Sequence, residues 1–240
     1  GTADHGHTFP GATTPFGMVQ LSPDNGVSGW DWCSGYNWID STLVGFSHKH
    51  LSGTGIGDLA DILFKPTILD LEDKEFVPAK QFAQKFKSWY SHDEEKAEPG
   101  YYALTFRDWE TKNDPIKAEL TCTPRVGIHR YTYPKGKTAR LMIDLGFAIN
   151  WDSSSETRIQ IVNDTLIKGY RLSKGWSDNQ HVYFAASFSE PIDSYRLFEA
   201  GLEIDGVSTV DEQYTEALIS FGEITELMVK VAISPTNTKG

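Results

Sequence analysis

Between Ser28 and Asp58 the chain reads SGWDWCSGYNWIDSTLVGFSHKHLSGTGIGD, which places three tryptophans, a cysteine, two histidines and repeated glycines in one short stretch. Trp30, Trp32, Tyr36 and Trp38 lie partly at a spacing of two, so on an extended chain several would share a face. Interleaved with Asp31, Ser34 and Asn37, such rings suit a sugar. The apolar ring face stacks on the indole, and carboxylates and hydroxyls bind the OH groups. The same aromatics could instead fill a core, where large rings dominate buried area.

Two His-x-His pairs, His5/His7 and His48/His50, could each grip one metal ion if they lay on strands. Gly6 suggests a loop for the first pair, and histidines in polar loops more often hydrogen-bond the backbone. The stretch HLSGTGIGDLAD resembles a phosphate loop but lacks the Gly-Lys-Ser/Thr ending. It reads more simply as a tight turn whose glycines supply positive φ, with sugar contact left open. Asp24, Asp31, Asp40, Asp58, Asp61 and Glu94 offer carboxylates for acid–base work on a glycosidic bond, although most such groups are solvated or cap turns. There is no Gly-x-Ser-x-Gly elbow or Cys–His signature to support acyl transfer. Cys33 reads as a shielded thiol under the aromatic cluster, its reactivity depending on exposure.

The elements that must hold these residues are mostly strands. From about Lys117 onwards, KAELTCTPRVGIHRYTYP, ARLMIDLGFAI, TRIQIVNDTLIKGYRLS, HVYFAASFS, EALISFG and ELMVKVAIS alternate apolar and polar residues between turn-forming clusters. This predicts an antiparallel sandwich or barrel. The first hundred residues are glycine- and loop-rich, which predicts an elaborated N-terminal face on one all-β domain. SHDEEKAEPGYY reads as a surface turn leading into a strand, punctuated by Pro99-Gly100, and VAISPTNTKG as a strand running into a polar tail at a domain boundary.

The 240 residues are 39% hydrophobic and 12% aromatic, with a formal net charge of −11. That charge argues against nucleic acid and anionic membrane as partners. No apolar run is long enough to cross a bilayer, and the opening GTADHGHTFPG has neither the basic nor the apolar region of a signal peptide. Cys33 and Cys122 are expected to be free thiols, since a chain of this length needs no staple.

The series HGHTFPGATTPFGMVQLSPD, GWDWCSGY and GFSHKHLSGTGIGDLADILFKP resembles the N-terminal domain of glycoside hydrolase family 92. The likeness continues through SHDEEKAEPGYY, ELTCTPRVGIHRYTYP and GYRLSKGW, and so covers nearly the whole chain. The resemblance implies an exo-acting α-mannosidase, often α-1,2-specific, that is calcium-dependent and inverts the anomeric centre. It implies a supersandwich-like N-terminal β-sandwich packed on a larger C-terminal (α/α)6 barrel. The barrel is expected to hold the acid, the base and the calcium ligands, so residues 1–240 carry no catalytic or metal residue and are inactive alone.

What the resemblance carries onto this chain is a sugar-facing wall. Trp30, Asp31, Trp32, Cys33 and Tyr36 come from GWDWCSGY, and His48, His50 and Gly53 from SHKHLSGTG. Asn37-Trp38-Ile39-Asp40 departs from the family's His-Tyr-Ser-Asp, Lys49 from its Thr, and ADHGH from its Gly-Gly-His-Gly-His. The implied partners are a mannose-containing glycan and the barrel, in a secreted or bacterial periplasmic enzyme. A stand-alone carbohydrate-binding sandwich is the competing reading. An exposed apolar patch from Trp30 to His50 is expected if the wall both meets sugar and docks a barrel.

Overall fold

The structure is a computed structural model that describes residues 1–25, 29–72 and 75–238. Lys239 and Gly240, at the end of the polar tail, lie outside the described residues. The architecture is two antiparallel sheets packed face to face, a sandwich rather than a barrel. The first sheet has eight strands in the order Ala12–Thr13, Gln20–Asp24, Gly45–Ser47, Leu63–Thr67, Arg140–Asp144, Thr215–Ser220, Ser194–Glu199 and Leu202–Glu203. The second has ten, in the order Thr209–Glu212, Ser153–Asn163, Leu166–Lys174, Gln180–Phe188, Glu226–Ser234, Val126–Thr132, Ile116–Cys122, Tyr101–Asp108, Ser88–Glu98 and Thr42–Leu43.

The second sheet shows the alternation expected of strands with one wet face. Along Glu226–Ser234, Leu227, Val229, Val231 and Ile233 point into the core, and Glu226, Lys230 and Ala232 are exposed. They meet Phe46, Phe64, Leu141, Ile143 and Ala217 of the first sheet in one apolar cluster. The central strands of the first sheet are buried on both faces, so their sequences read as continuous apolar runs instead. Their outer face, with Leu63, Met142 and Leu218, is covered by Phe82, Phe86 and Phe147.

One local expectation changes. SHDEEKAEPGYY is not a surface turn: Ser88–Glu98 is one long strand, and only Pro99-Gly100 makes the turn. A bulge between Tyr90 and Glu95 absorbs the extra polar residues, which hides the period of two. Cys33 and Cys122 are free thiols, buried and half-buried. Among the described residues no helix is long and apolar enough to cross a membrane.

Candidate functional site

The motif Trp30-Asp31-Trp32 forms a single 3-10 turn rather than a strand. Gly29 enters it at φ 123°, a conformation open to glycine, and Cys33 N–H closes it on the Trp30 carbonyl at 3.1 Å. Successive side chains therefore diverge, which corrects the expectation of a shared face. Trp30 is 57% exposed, and Trp38 is 47% exposed and stacked on His92 with ring centroids 3.8 Å apart. Trp32 is half-buried and donates its indole N–H to the Asp40 carboxylate at 3.0 Å.

Trp30 is held from two sides. Its indole N–H donates to the Gly55 carbonyl at 2.7 Å, and its ring packs against His5 and His7 at 5.1 and 4.3 Å. A Cβ on Gly55 would sit 3.3 Å from His7 Nδ1 and 3.4 Å from the indole, with φ at 65°, so both space and backbone favour glycine there. The turn Asp4–Gly6 brings both imidazoles round to one carboxylate: His5 Nδ1 lies 2.6 Å and His7 Nε2 3.3 Å from Asp31 Oδ1. The bond from His5 holds the Asp31 carboxyl below its usual range and raises the His5 imidazole in return. Gly53 is exposed and donates its N–H to the His7 carbonyl at 2.6 Å. An exposed indole face edged by a carboxylate and imidazoles offers the two contacts a sugar ring needs, an apolar stack and polar edges.

Cys33, Tyr36, His48 and His50, expected from the resemblance on the sugar-facing wall, are buried behind that surface. His50 is fixed by Asp24 Oδ1 at 3.0 Å, Ser47 Oγ at 3.0 Å and the Gln20 carbonyl at 2.8 Å. Burial works against the charged His50, but the adjacent Asp24 carboxylate overcomes it and raises the ring. A Cβ on Gly35 would come within 2.4 Å of Asp24 Oδ1 and 3.0 Å of the His50 ring. The glycine of GWDWCSGY thus makes room for this pair. His48 donates Nδ1–H to the Ile62 carbonyl at 2.6 Å and meets His129, so no four-histidine site forms. Tyr36 donates its hydroxyl to Glu95 at 3.0 Å. Burial raises the Cys33 thiol, which disfavours its thiolate form. Of the stretch from Trp30 to His50, the large apolar residues Trp30, Trp38 and Ile39 are exposed and His50 is buried.

The glycine-rich loop beyond Gly53 carries backbone strain at residues other than glycine. Leu59, Ala60 and Ile62 all take positive φ, between 54° and 70°, which costs roughly 1–2 kcal/mol each for residues with a Cβ. The segment is over-determined by its neighbours. Asp58 accepts from Leu59 N–H, Trp176 N–H and the Gln180 amide at 2.7–2.9 Å. Asp61 pairs with the buried Arg171 at 2.7 Å, and Arg171 pairs in turn with Asp152 at 2.6 Å. This anchoring sets Trp151 and Trp176, each 62% exposed, beside the same loop.

All six carboxylates singled out in the sequence have structural partners: the remaining two are Asp40, bound to Thr42 and Trp32, and Glu94, clamped by Arg107 at 2.6 and 2.9 Å. Sequence reasoning missed Arg171, Asp152, Trp151, Trp176 and His129. Arg171 lies 110 residues from Asp61, and no local pattern marks such a pair.

By fold the chain is an antiparallel β-sandwich with an aromatic rim. A family profile described as the glycosyl hydrolase family 92 N-terminal domain matches residues 1–234, and the chain belongs to that family. It is 37% identical to a family GH92 alpha-mannosidase from Bacteroides thetaiotaomicron solved with mannoimidazole, with a TM-score of 0.86 over 100% of this chain and 32% of that one. A GH92 inverting mannosidase from the same organism shares the fold at 23% identity and a TM-score of 0.79, over 99% of this chain and 30% of that one. A protein of Arthroderma benhamiae described as an uncharacterized secreted glycosidase is 32% identical over 173 residues, 69% of this chain and 21% of its own length. The chain thus spans about a third or less of the relatives it matches.

The resemblance implied calcium. Calcium takes about 6–8 oxygen ligands. Among the described residues the cluster of metal-type donors is His5, His7 and Asp31, which offers two imidazole nitrogens and one carboxylate. That set does not fit calcium.

Proposed function

We propose that the chain is the sugar-facing N-terminal part of an exo-acting, inverting α-mannosidase, with a preference for α-1,2 linkages. It packs on an (α/α)6 barrel that carries the general acid, the general base and the calcium ligands, and residues 1–240 alone are inactive. Trp30 stacks on the pyranose ring. Asp31 accepts from its hydroxyls, and Gly53 and Trp32 shape the edge of the pocket. Cys33, Tyr36, His48 and His50 act from behind by fixing the loops. The enzyme works outside the cytoplasm, secreted or in a bacterial periplasm, on mannose-containing glycans.

One observation carries this reading: an indole 57% exposed, yet locked in place by its own N–H bond to Gly55. A ring that merely filled a core would be buried, and the tether holds this exposed one in a fixed orientation for stacking. Identity of 37% to a mannosidase across the whole chain supports the substrate class. The test is hydrolysis of α-1,2-, α-1,3- and α-1,6-mannobiose by the complete polypeptide, with the product anomer followed by NMR and calcium removed by chelation. β-Mannose released first from the α-1,2 disaccharide, and lost with calcium, is expected. Binding without turnover by the complete polypeptide would favour the stand-alone binding module.

A further inference from the structure

We propose that His5 Nδ1, His7 Nε2 and the Asp31 carboxylate form a binding site for one divalent transition-metal ion of the zinc type, with its remaining coordination positions open to solvent. The three donor atoms lie within 4.8 Å of one another. Zinc bonds of about 2.0–2.1 Å in a tetrahedral arrangement set neighbouring donors roughly 3.3 Å apart. His7 Nε2 and Asp31 Oδ1 already stand at 3.3 Å. His5 Nδ1 stands closer, at 2.6 Å, because a proton holds it there. The His5 side chain is 71% exposed and free to swing outward by the difference, whereas the His7 side chain is 5% exposed and fixed.

The set is selective by chemistry. Two imidazoles and one carboxylate suit zinc, copper or nickel, and too few oxygens are present for calcium or magnesium. Trp30 covers the imidazoles on one side, which limits how many water ligands can crowd the ion. Binding displaces the proton of the His5–Asp31 bond to solvent, and each imidazole donates a lone pair from its neutral form. The site shares Asp31 with the proposed sugar contact, but its three ligands meet without a glycan, so ion binding is read separately from sugar binding.

The test uses the complete, chelator-treated protein. Isothermal titration with zinc chloride, and with cobalt chloride followed by absorbance, should show one ion per chain. Affinity should fall at least about 100-fold in His5→Ala and in Asp31→Asn, since loss of a direct ligand costs no less than loss of the outer partner that orients it, and circular dichroism of each variant checks that it is folded. His181→Ala, which alters an exposed histidine elsewhere, should leave it unchanged. Cobalt should quench tryptophan emission, and Trp30→Phe should remove that quenching while the ion still binds. No stoichiometric ion, or equal affinity in wild type and His5→Ala, would overturn the site and leave a proton-bridged cluster only.

Discussion

His48 and His129 meet Nε2 to Nε2 at 3.0 Å in the middle of the sandwich, one ring delivered by each sheet. The outer nitrogens are fixed as well. His48 donates Nδ1–H to the Ile62 carbonyl, and the Tyr131 hydroxyl donates to His129 Nδ1 at 2.7 Å. For a neutral pair this leaves one proton arrangement, with His129 Nε2–H donating to His48 Nε2. A second proton at the contact would set two N–H groups against each other. Burial is the main force lowering both rings, His48 to about 4 and His129 well below its ordinary value.

Both rings should therefore stay neutral at pH 5.5, in opposite tautomers, as read from 15N shifts in long-range correlation spectra. Because the folded values lie below 6.5, the unfolded chain binds more protons in between, and the pair's contribution to stability falls as pH drops from 6.5 towards 4. Buried acids with raised values act in the opposite sense over part of that window. The ring spectra, rather than a melting curve, are the decisive measurement. A charged ring at pH 5.5 would contradict the arrangement.

The opposite limb belongs to Glu216. It pairs with Asp144 in the register between Arg140–Asp144 and Thr215–Ser220. Asp144 accepts three backbone N–H bonds, from Ala83, Gly146 and Phe147, which favour its charge. Glu216 has one weak donor, Gly201 N–H at 3.3 Å, and its Oε1 is buried without a partner. Of the two, Glu216 keeps its proton longer: its carboxyl is pushed up to about 9 by burial and then by the Asp144 charge. Above pH 7 the folded state holds a proton that the unfolded state has lost. Stability should fall from pH 7 to 9 with a slope of up to about 1.4 kcal/mol per pH unit. Urea unfolding at several pH values checks this, and Glu216→Gln should flatten the decline. An unchanged slope in that variant would place the proton elsewhere.

How much of this was legible in the sequence depended on the range of the signal. The period of two in Leu227, Val229 and Val231 is local, and it specified a strand with one wet face. Between Tyr90 and Glu95 the bulge broke the period, and a strand read as a turn. The candidate site divides in the same way. Residue types in GWDWCSGY marked Trp30 and Asp31, but a 3-10 turn, not an extended chain, decides that Trp30 is exposed and Cys33 is not. His48 and His50 sit two residues apart, yet both are core groups because their partners, His129 and Asp24, come from distant strands. His5 and His7 converge on Asp31 only after the chain folds back across 24 residues or more.

Arg171 offers a stability test of the loop anchor. It is fully buried, and its guanidinium serves Asp61, Asp152 and the carbonyls of Leu145 and Phe147. Arg171→Met would strip the buried Asp152 of its counter-charge and leave Asp61 only Lys49 at 3.9 Å, a change that typically costs about 3–5 kcal/mol. Urea denaturation should show a loss of that size, and amide exchange should speed up through residues 58–62 and 147–152. A loss below about 1 kcal/mol would mean that water already screens the pair.

Trp30 and His50 separate the two roles assigned to the stretch from Trp30 to Gly53, contact from in front and support from behind. Trp30→Ala removes an exposed ring whose loss leaves no cavity, so the melting temperature should change little. If the ring stacks on a mannose, the complete enzyme should lose about 1–3 kcal/mol of substrate binding, roughly a 5- to 150-fold rise in KM. His50→Ala should do the reverse. It strips Asp24, Ser47 and the Gln20 carbonyl of a shared partner and should cost about 1–3 kcal/mol of stability, with KM of the folded fraction near wild type. Steady-state kinetics on an α-mannoside beside thermal unfolding of the same samples distinguishes them. An unchanged KM in Trp30→Ala would remove the indole from the pocket, and a large rise in KM for folded His50→Ala would move the buried imidazole into it.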